Sequence, residues 1–124
     1  MNYEQTRRTV LEAIQEAVEM KLINGTSGNI AMRTPENPNI VCITPSGIPY
    51  TGMKPEDIAV VEMLDDGTNK WIEGNYKPSS EVPMHCAVMR ARKDVNATVH
   101  THSVCDHLRD GRESAAGAHH SSAV

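Results

Sequence analysis

Two histidines stand one residue apart in the stretch Val99-His100-Thr101-His102-Ser103. Side chains at i and i+2 of a strand share a face. His100 and His102 therefore present two imidazoles side by side, which suits two neighbouring ligands on one zinc-like ion. A catalytic zinc takes three protein ligands and keeps one position open. A third ligand, an acid or base and a place for a charged substrate must then come from elsewhere in the chain. Without them the pair is two polar residues on a strand.

Lys77-Pro78-Ser79-Ser80-Glu81 supplies some of what is missing. Hydroxyls and backbone N–H groups at the start of a helix form an anion cradle, and the next residue, Glu81, is a carboxylate that can act as a general base. Each feature also has a plainer meaning. Serines cap helices, and an acid in the first turn suits the helix dipole. Two further segments, Gly25-Thr26-Ser27-Gly28-Asn29 and Thr44-Pro45-Ser46-Gly47, offer hydroxyls and amides that can wrap a phosphate. Neither is a GxxxxGK[ST] loop, and singly each reads as a turn. Together, a metal pair, a carboxylate and three anion-binding segments make a complete set for sugar-phosphate chemistry.

The elements that must position these groups are legible in outline. Residues 4–23 predict an amphipathic helix. Val10, Leu11, Ile14, Ala17, Val18 and Leu22 recur at three- and four-residue steps, and Asn24-Gly25 is the stop. A short strand follows Gly28. Ile40-Val41-Cys42-Ile43 is a β-branched run, hence a strand, ending in the Thr44 to Gly47 turn. Ile58 to Leu64 predicts another strand, Asp65-Asp66-Gly67 a hairpin turn, and Trp71-Ile72 the return. Ser79 or Ser80 reads as the N-cap of a second helix with Pro83 in its first turn. This helix runs to about Arg92 and buries Met84, Ala87, Val88 and Ala91, with His85 at its surface. Ala97 to His102 closes as a strand. Helix, strands, helix, strand with mostly hairpin connections argues for a layered α+β or mixed α/β fold.

Composition sets the outer bounds. The 124 residues suit one domain. Apolar residues are 39 % of the chain, with no Phe, one Trp and three Tyr, so the core must be aliphatic. A net charge of −4 leaves no basic footprint for nucleic acid or an anionic membrane. No apolar run approaches the ~18 residues of a spanning helix. The polar start predicts no secretory leader. Cys42, Cys86 and Cys105 follow no pairing pattern, which fits a reducing cytoplasm. Cys42 and Cys86 read as small buried hydrophobes.

The segments NGTSGNIAMR, ITPSGIPYTGMKPEDIAVV, KPSSEVPMH and RKDVNATVHTHS occur in that order within residues 1–103 and resemble the class II aldolase/adducin family. The resemblance implies a three-layer α/β/α fold, here incomplete, and a zinc-dependent aldehyde-lyase that works as a homotetramer. The implied reaction cleaves a ketose 1-phosphate of the fuculose phosphate type to dihydroxyacetone phosphate and an aldehyde. By matching motif positions, Asn29, Ser46, Gly47, Ser79 and Ser80 would hold the substrate phosphate. Glu81 would be the catalytic acid/base and a resting-state metal ligand, and His100 and His102 would bind zinc. Related scaffolds serve as sugar-phosphate 4-epimerases, dehydratases or decarboxylases, or as the non-catalytic module of the adducin branch. Glu rather than Asp at position 81 favours the aldolase.

After Ser103 the character changes. Residues 104–124, VCDHLRDGRESAAGAHHSSAV, show no period of 2 or 3.6 and do not resemble the family, which predicts a disordered tail. None of His107, His119 and His120 sits where the family's third zinc ligand does. A shift of reading frame near Val104 would account for the change. Residues 1–103 then form the N-terminal part of a larger domain, with edges and apolar faces left without partners. A two-histidine zinc site, low stability and impaired activity are the expected consequences.

Overall fold

The computed structural model describes residues 1–23, 28–101 and 120–123. Helix α1 (Glu4–Glu19) leads into strand β1 (Asn29–Arg33). Strand β2 (Ile40–Ile43) follows, then one 3-10 turn at Pro55–Asp57. Strands β3 (Ala59–Met63) and β4 (Asn69–Glu73) form the predicted hairpin, with Gly67 at φ 90° in its turn. Helix α2 (Val82–Ala91) crosses to β5 (Ala97–Thr101), and β6 (His120–Ala123) is last. The strands form one sheet in the order β4-β3-β2-β1-β5-β6, every neighbouring pair antiparallel.

The period of two decides how the helices pack. On β1 to β3, Ile30, Ile40, Cys42 and Val60 point to one face, where Val10, Leu11 and Ile14 of α1 meet them. The intervening Ala31, Val41, Ile43, Ala59 and Val61 point to the other, where Cys86 and Met89 of α2 cover them. One helix on each face of a sheet gives the three-layer α/β/α arrangement. Both faces of β2 are buried, so its pattern is a continuous apolar run rather than an alternation.

Two polar devices hold the layers in register. The Arg7 guanidinium, 2 % exposed, pairs with Glu73 on β4 and donates to the Glu56 carbonyl at 3.1 Å, which ties α1 to the far edge. On the other face, Arg33 donates to the carbonyls of Met89 (2.9 Å), Arg92 (3.3 Å) and Val95 (2.8 Å). A cation there satisfies the last carbonyls of α2 and suits the dipole.

Three details differ from the sequence expectation. Helix α1 ends at Glu19, four residues before the predicted end, and Leu22 is exposed. The stop is a Schellman motif: Lys21 takes φ 61°, its N–H bonds to the Val18 carbonyl and Leu22 N–H to the Ala17 carbonyl. Lysine in the left-handed region gives no sequence signal for this. The N-cap position of helix α2 is Glu81 rather than a serine, and its side chain makes no capping bond. It buries His85, Cys86 and Met89, while Ala87 and Ala91 are exposed. The expected disordered tail contains β6, whose His120–Ala123 backbone pairs with Thr98 to Thr101 and covers an edge that β5 would otherwise expose. Residues 102–119 and 124 lie outside the described residues.

Candidate active site

The site is built around the end of β2. Thr44 is fully buried; its N–H donates to the Ile30 carbonyl (3.1 Å) and its hydroxyl accepts from Ile30 N–H (3.3 Å). Its carbonyl accepts from Ser79 N–H at 3.0 Å. One residue on, Pro45 faces Pro78 across a short antiparallel bridge, and Ser46 N–H donates to the Lys77 carbonyl at 2.9 Å. These bonds hold the Thr44 to Gly47 turn against the Lys77 to Ser80 loop. Gly47 sits at φ 69°, a left-handed conformation that other residues adopt at a cost.

Asn29 and His100 arrive from the neighbouring strands. They stand directly opposite each other in the β1–β5 register. Both lie two residues from positions on the α2 face, so both face α2. Glu81, at the N-terminal end of that helix, brings its Oε2 to 3.8 Å from His100 Nε2. Asn29, Ser46, Gly47, Ser79, Ser80, Glu81 and His100 line one polar cavity of about 150 Å³. That brings together seven of the eight residues singled out from the sequence. The eighth, His102, lies outside the described residues, as do Gly25 to Ser27 of the first anion segment.

The cradle differs from the predicted one in which donors it offers. Ser79 N–H is used by Thr44, Glu81 N–H by the Ser79 hydroxyl (3.1 Å), and Val82 N–H by the Ser79 carbonyl (3.2 Å). Pro83 has no N–H. Most of the amides at this helix start are therefore occupied. Among the described residues, the Gly47 and Ser80 amides have no partner, and Ser46, Gly47 and Ser80 are solvent-exposed. An anion would meet those two amides, the serine hydroxyls and Asn29.

Sequence reasoning missed two further residues, one in the wall and one behind it. Tyr50, 2 % exposed, lines the cavity, and its hydroxyl donates to the Gly28 carbonyl, fixing the entry to β1. Burial raises its pKa. A single tyrosine inside a Pro/Gly-rich loop of a chain without Phe was the available signal. The other is His85, expected at the surface and found at 0 % exposure. Its Nε2 bonds to Asn29 Oδ1 and its Nδ1 to Thr98 Oγ1, both at 2.5 Å. Burial, with His100 nearby, pushes its pKa down to about 4, so the ring is neutral at pH 7. Both ring nitrogens have partners, which is what makes a buried histidine tolerable; sequence period alone reads it as polar.

The donor set suits a metal as far as it is described. Two ligands on a tetrahedral zinc stand about 3.4 Å apart. The 3.8 Å between Glu81 Oε2 and His100 Nε2 is close to that spacing. Among the described residues no group of three such ligands occurs. A larger hollow of about 340 Å³ opens between Arg33, Met63 and Arg90. Its two guanidiniums already donate to backbone carbonyls, and it holds no comparable convergence.

The family profile of the Class II Aldolase and Adducin N-terminal domain matches residues 8–106. The chain belongs to this family. A 5-deoxy-D-ribulose 1-phosphate aldolase of Bacillus thuringiensis serovar kurstaki is 40 % identical over 103 residues, 83 % of this chain and 46 % of its own length. An L-fuculose phosphate aldolase of Haemophilus influenzae is 36 % identical over 104 residues, 84 % of this chain and 44 % of that protein. Among solved structures, an L-fuculose 1-phosphate aldolase superposes with a TM-score of 0.72 at 31 % identity, covering 84 % of this chain and 47 % of that one. The chain therefore spans a little under half the length of these class II aldolase relatives. The matched span contains all eight predicted site residues.

Proposed function

We propose that this chain carries the phosphate-binding and metal-binding part of a class II aldolase active site, acting on a ketose 1-phosphate. The convergence of Asn29, Ser46, Gly47, Ser79 and Ser80 with Glu81 and His100 on one cavity carries this reading. The phosphate would sit against the Gly47 and Ser80 amides, the serine hydroxyls and the Asn29 carboxamide. His100 and His102 would hold the metal, with Glu81 as a further ligand before substrate arrives. When bound, zinc would supply Lewis acidity toward the sugar's carbonyl and hydroxyl oxygens. Glu81 would move protons at the reacting carbon or oxygen, taking up the hydroxyl proton that carbon–carbon cleavage releases and returning one to the carbon left behind, since its carboxylate lines the same cavity. Holding the phosphate fixes the reacting carbons relative to that carboxylate, the usual contribution of a positioned substrate. The products would be dihydroxyacetone phosphate and an aldehyde. Its 5-deoxyribulose-phosphate and fuculose-phosphate relatives support a short sugar phosphate as substrate.

The test is calorimetric titration of the 124-residue chain with zinc and with inorganic phosphate, alongside an aldehyde-release assay on L-fuculose 1-phosphate. Zinc binding that His100→Ala abolishes, and phosphate binding that Ser80→Ala weakens, are expected. A chain that binds neither ligand at millimolar concentration overturns the reading. Metal binding with phosphate loss or epimerisation in place of aldehyde release would move the assignment to another reaction on the same scaffold.

A further inference from the structure

Three buried side chains from three elements form one hydrogen-bonded line beside the cavity. Thr98 on β5 (1 % exposed) meets His85 Nδ1, and His85 on α2 (0 %) meets Asn29 Oδ1 on β1 (7 %) through Nε2. A neutral imidazole donates from one nitrogen and accepts at the other. Asn29 presents its carbonyl oxygen to Nε2, so Nε2 carries the hydrogen and Nδ1 accepts from the Thr98 hydroxyl. In that tautomer the carboxamide cannot turn over unless the ring proton moves to Nδ1 and the Thr98 hydroxyl turns with it. With its oxygen held by His85, Asn29 has its N–H donors for the cavity it lines. An amide in the opposite orientation would aim an oxygen at an anion.

We propose that His85 is a positioning residue that locks the Asn29 carboxamide so that its amino group, not its oxygen, faces the bound phosphate. The inference rests on the phosphate reading above. The same line explains why α2 carries both Glu81 and, four residues later, His85, whose N–H closes the first turn on the Glu81 carbonyl at 3.1 Å. A shift of the helix would then move carboxylate and carboxamide together.

The test uses the 15N-labelled full chain, inorganic phosphate as probe, and the variants His85→Leu, His85→Gln, Asn29→Ala and the Leu/Ala double variant. Loss of one oriented hydrogen bond to an anion predicts about tenfold weaker phosphate binding in His85→Leu. His85→Gln, whose side-chain amide can replace the Nε2 donor, retains affinity. In the Asn29→Ala background His85→Leu changes nothing further, which a general packing role would not produce. Equal losses in both backgrounds, or a folded His85→Leu chain with full affinity, overturn the proposal. If His85→Leu does not fold, Thr98→Val, which frees the ring, is expected to show a smaller loss that again vanishes with Asn29→Ala. If the wild-type chain binds no phosphate, the functional reading fails and the Asn29 side-chain NH2 resonances decide the positioning. They should move in His85→Leu and stay in His85→Gln; unmoved resonances in His85→Leu overturn it.

Discussion

The two faces of the sheet are cut from the same alternation and used differently. The α1 face is largely aliphatic: Val10, Leu11, Ile14, Ile30, Ile40, Cys42, Ile58 and Val60 pack together, with the buried Arg7 at its edge. The α2 face is aliphatic only at its centre, around Val41, Val61, Cys86 and Met89. Where β1 and β5 meet the start of α2 it becomes polar, with Asn29, His85, Thr98 and His100 all buried. Apolar contacts tolerate small shifts, whereas buried polar groups demand fixed partners. The first face supplies stability, and the second gives up some of it for geometry.

The largest effect expected from this division is on the first face. Ile14 is fully buried in the α1-face cluster, so Ile14→Ala should cost about 2–5 kcal/mol. Urea denaturation reads that loss, while zinc and phosphate affinities of the folded fraction should hold. A cost under about 1 kcal/mol would mean that the α1 face is loosely packed, and the contrast between faces would weaken.

Next in size is a pH effect that belongs to the second face. Burial lowers the His85 pKa from 6.5 to about 4, so the unfolded chain takes up a proton that the folded chain excludes. Stability is then full above pH 6.5, falls as the pH drops toward 4 and levels below it. Between pH 6.5 and 5 the loss should be about 2 kcal/mol. Urea midpoints across this range check it, and His85→Leu should flatten that part of the curve. A wild-type slope that survives in His85→Leu would assign the titration to other groups.

A smaller effect tests the turn that joins the faces to the cavity. Gly47 has φ 69° and open space around its Cα, so Gly47→Ala meets no clash and pays only backbone strain, about 1–2 kcal/mol. The unfolding midpoint should drop by that amount. Phosphate binding should weaken as well, because the Gly47 amide faces the cradle. Weakened binding without the stability loss would show that the turn relaxes to another conformation.

These contrasts also show what could be read without coordinates. The strands were legible because β-branched runs such as Ile40 to Ile43 and Ile58 to Leu64 carry their own signal, and the hairpin because Asp66-Gly67 marks it. The site was legible as a set of segments, since serine, glycine and glutamate beside a helix start imply anion and proton chemistry. Their meeting was not. It depends on bonds such as Ser46 N–H to the Lys77 carbonyl, between loops far apart in the chain. His85 escaped because a histidine's burial is decided by partners on two strands, Thr98 and Asn29, which no local pattern contains. The end of α1 escaped because Lys21 supplies a conformation usually supplied by glycine.

The smallest expected change in stability sharpens the comparison most. Glu81 is partly exposed at the cavity, its side chain makes no capping bond to α2, and its carboxylate stands 3.8 Å from the His100 ring. Glu81→Gln keeps the size and removes only the charge. If the polar end of the α2 face exists for geometry and chemistry, this substitution should leave the urea midpoint unchanged. Zinc affinity should fall by at least the roughly tenfold typical of groups that support a metal site. A carboxylate kept for structure would give the reverse, a lower midpoint with zinc binding intact. That outcome would make the start of α2 an ordinary helix terminus and return the difference between the two faces to packing alone.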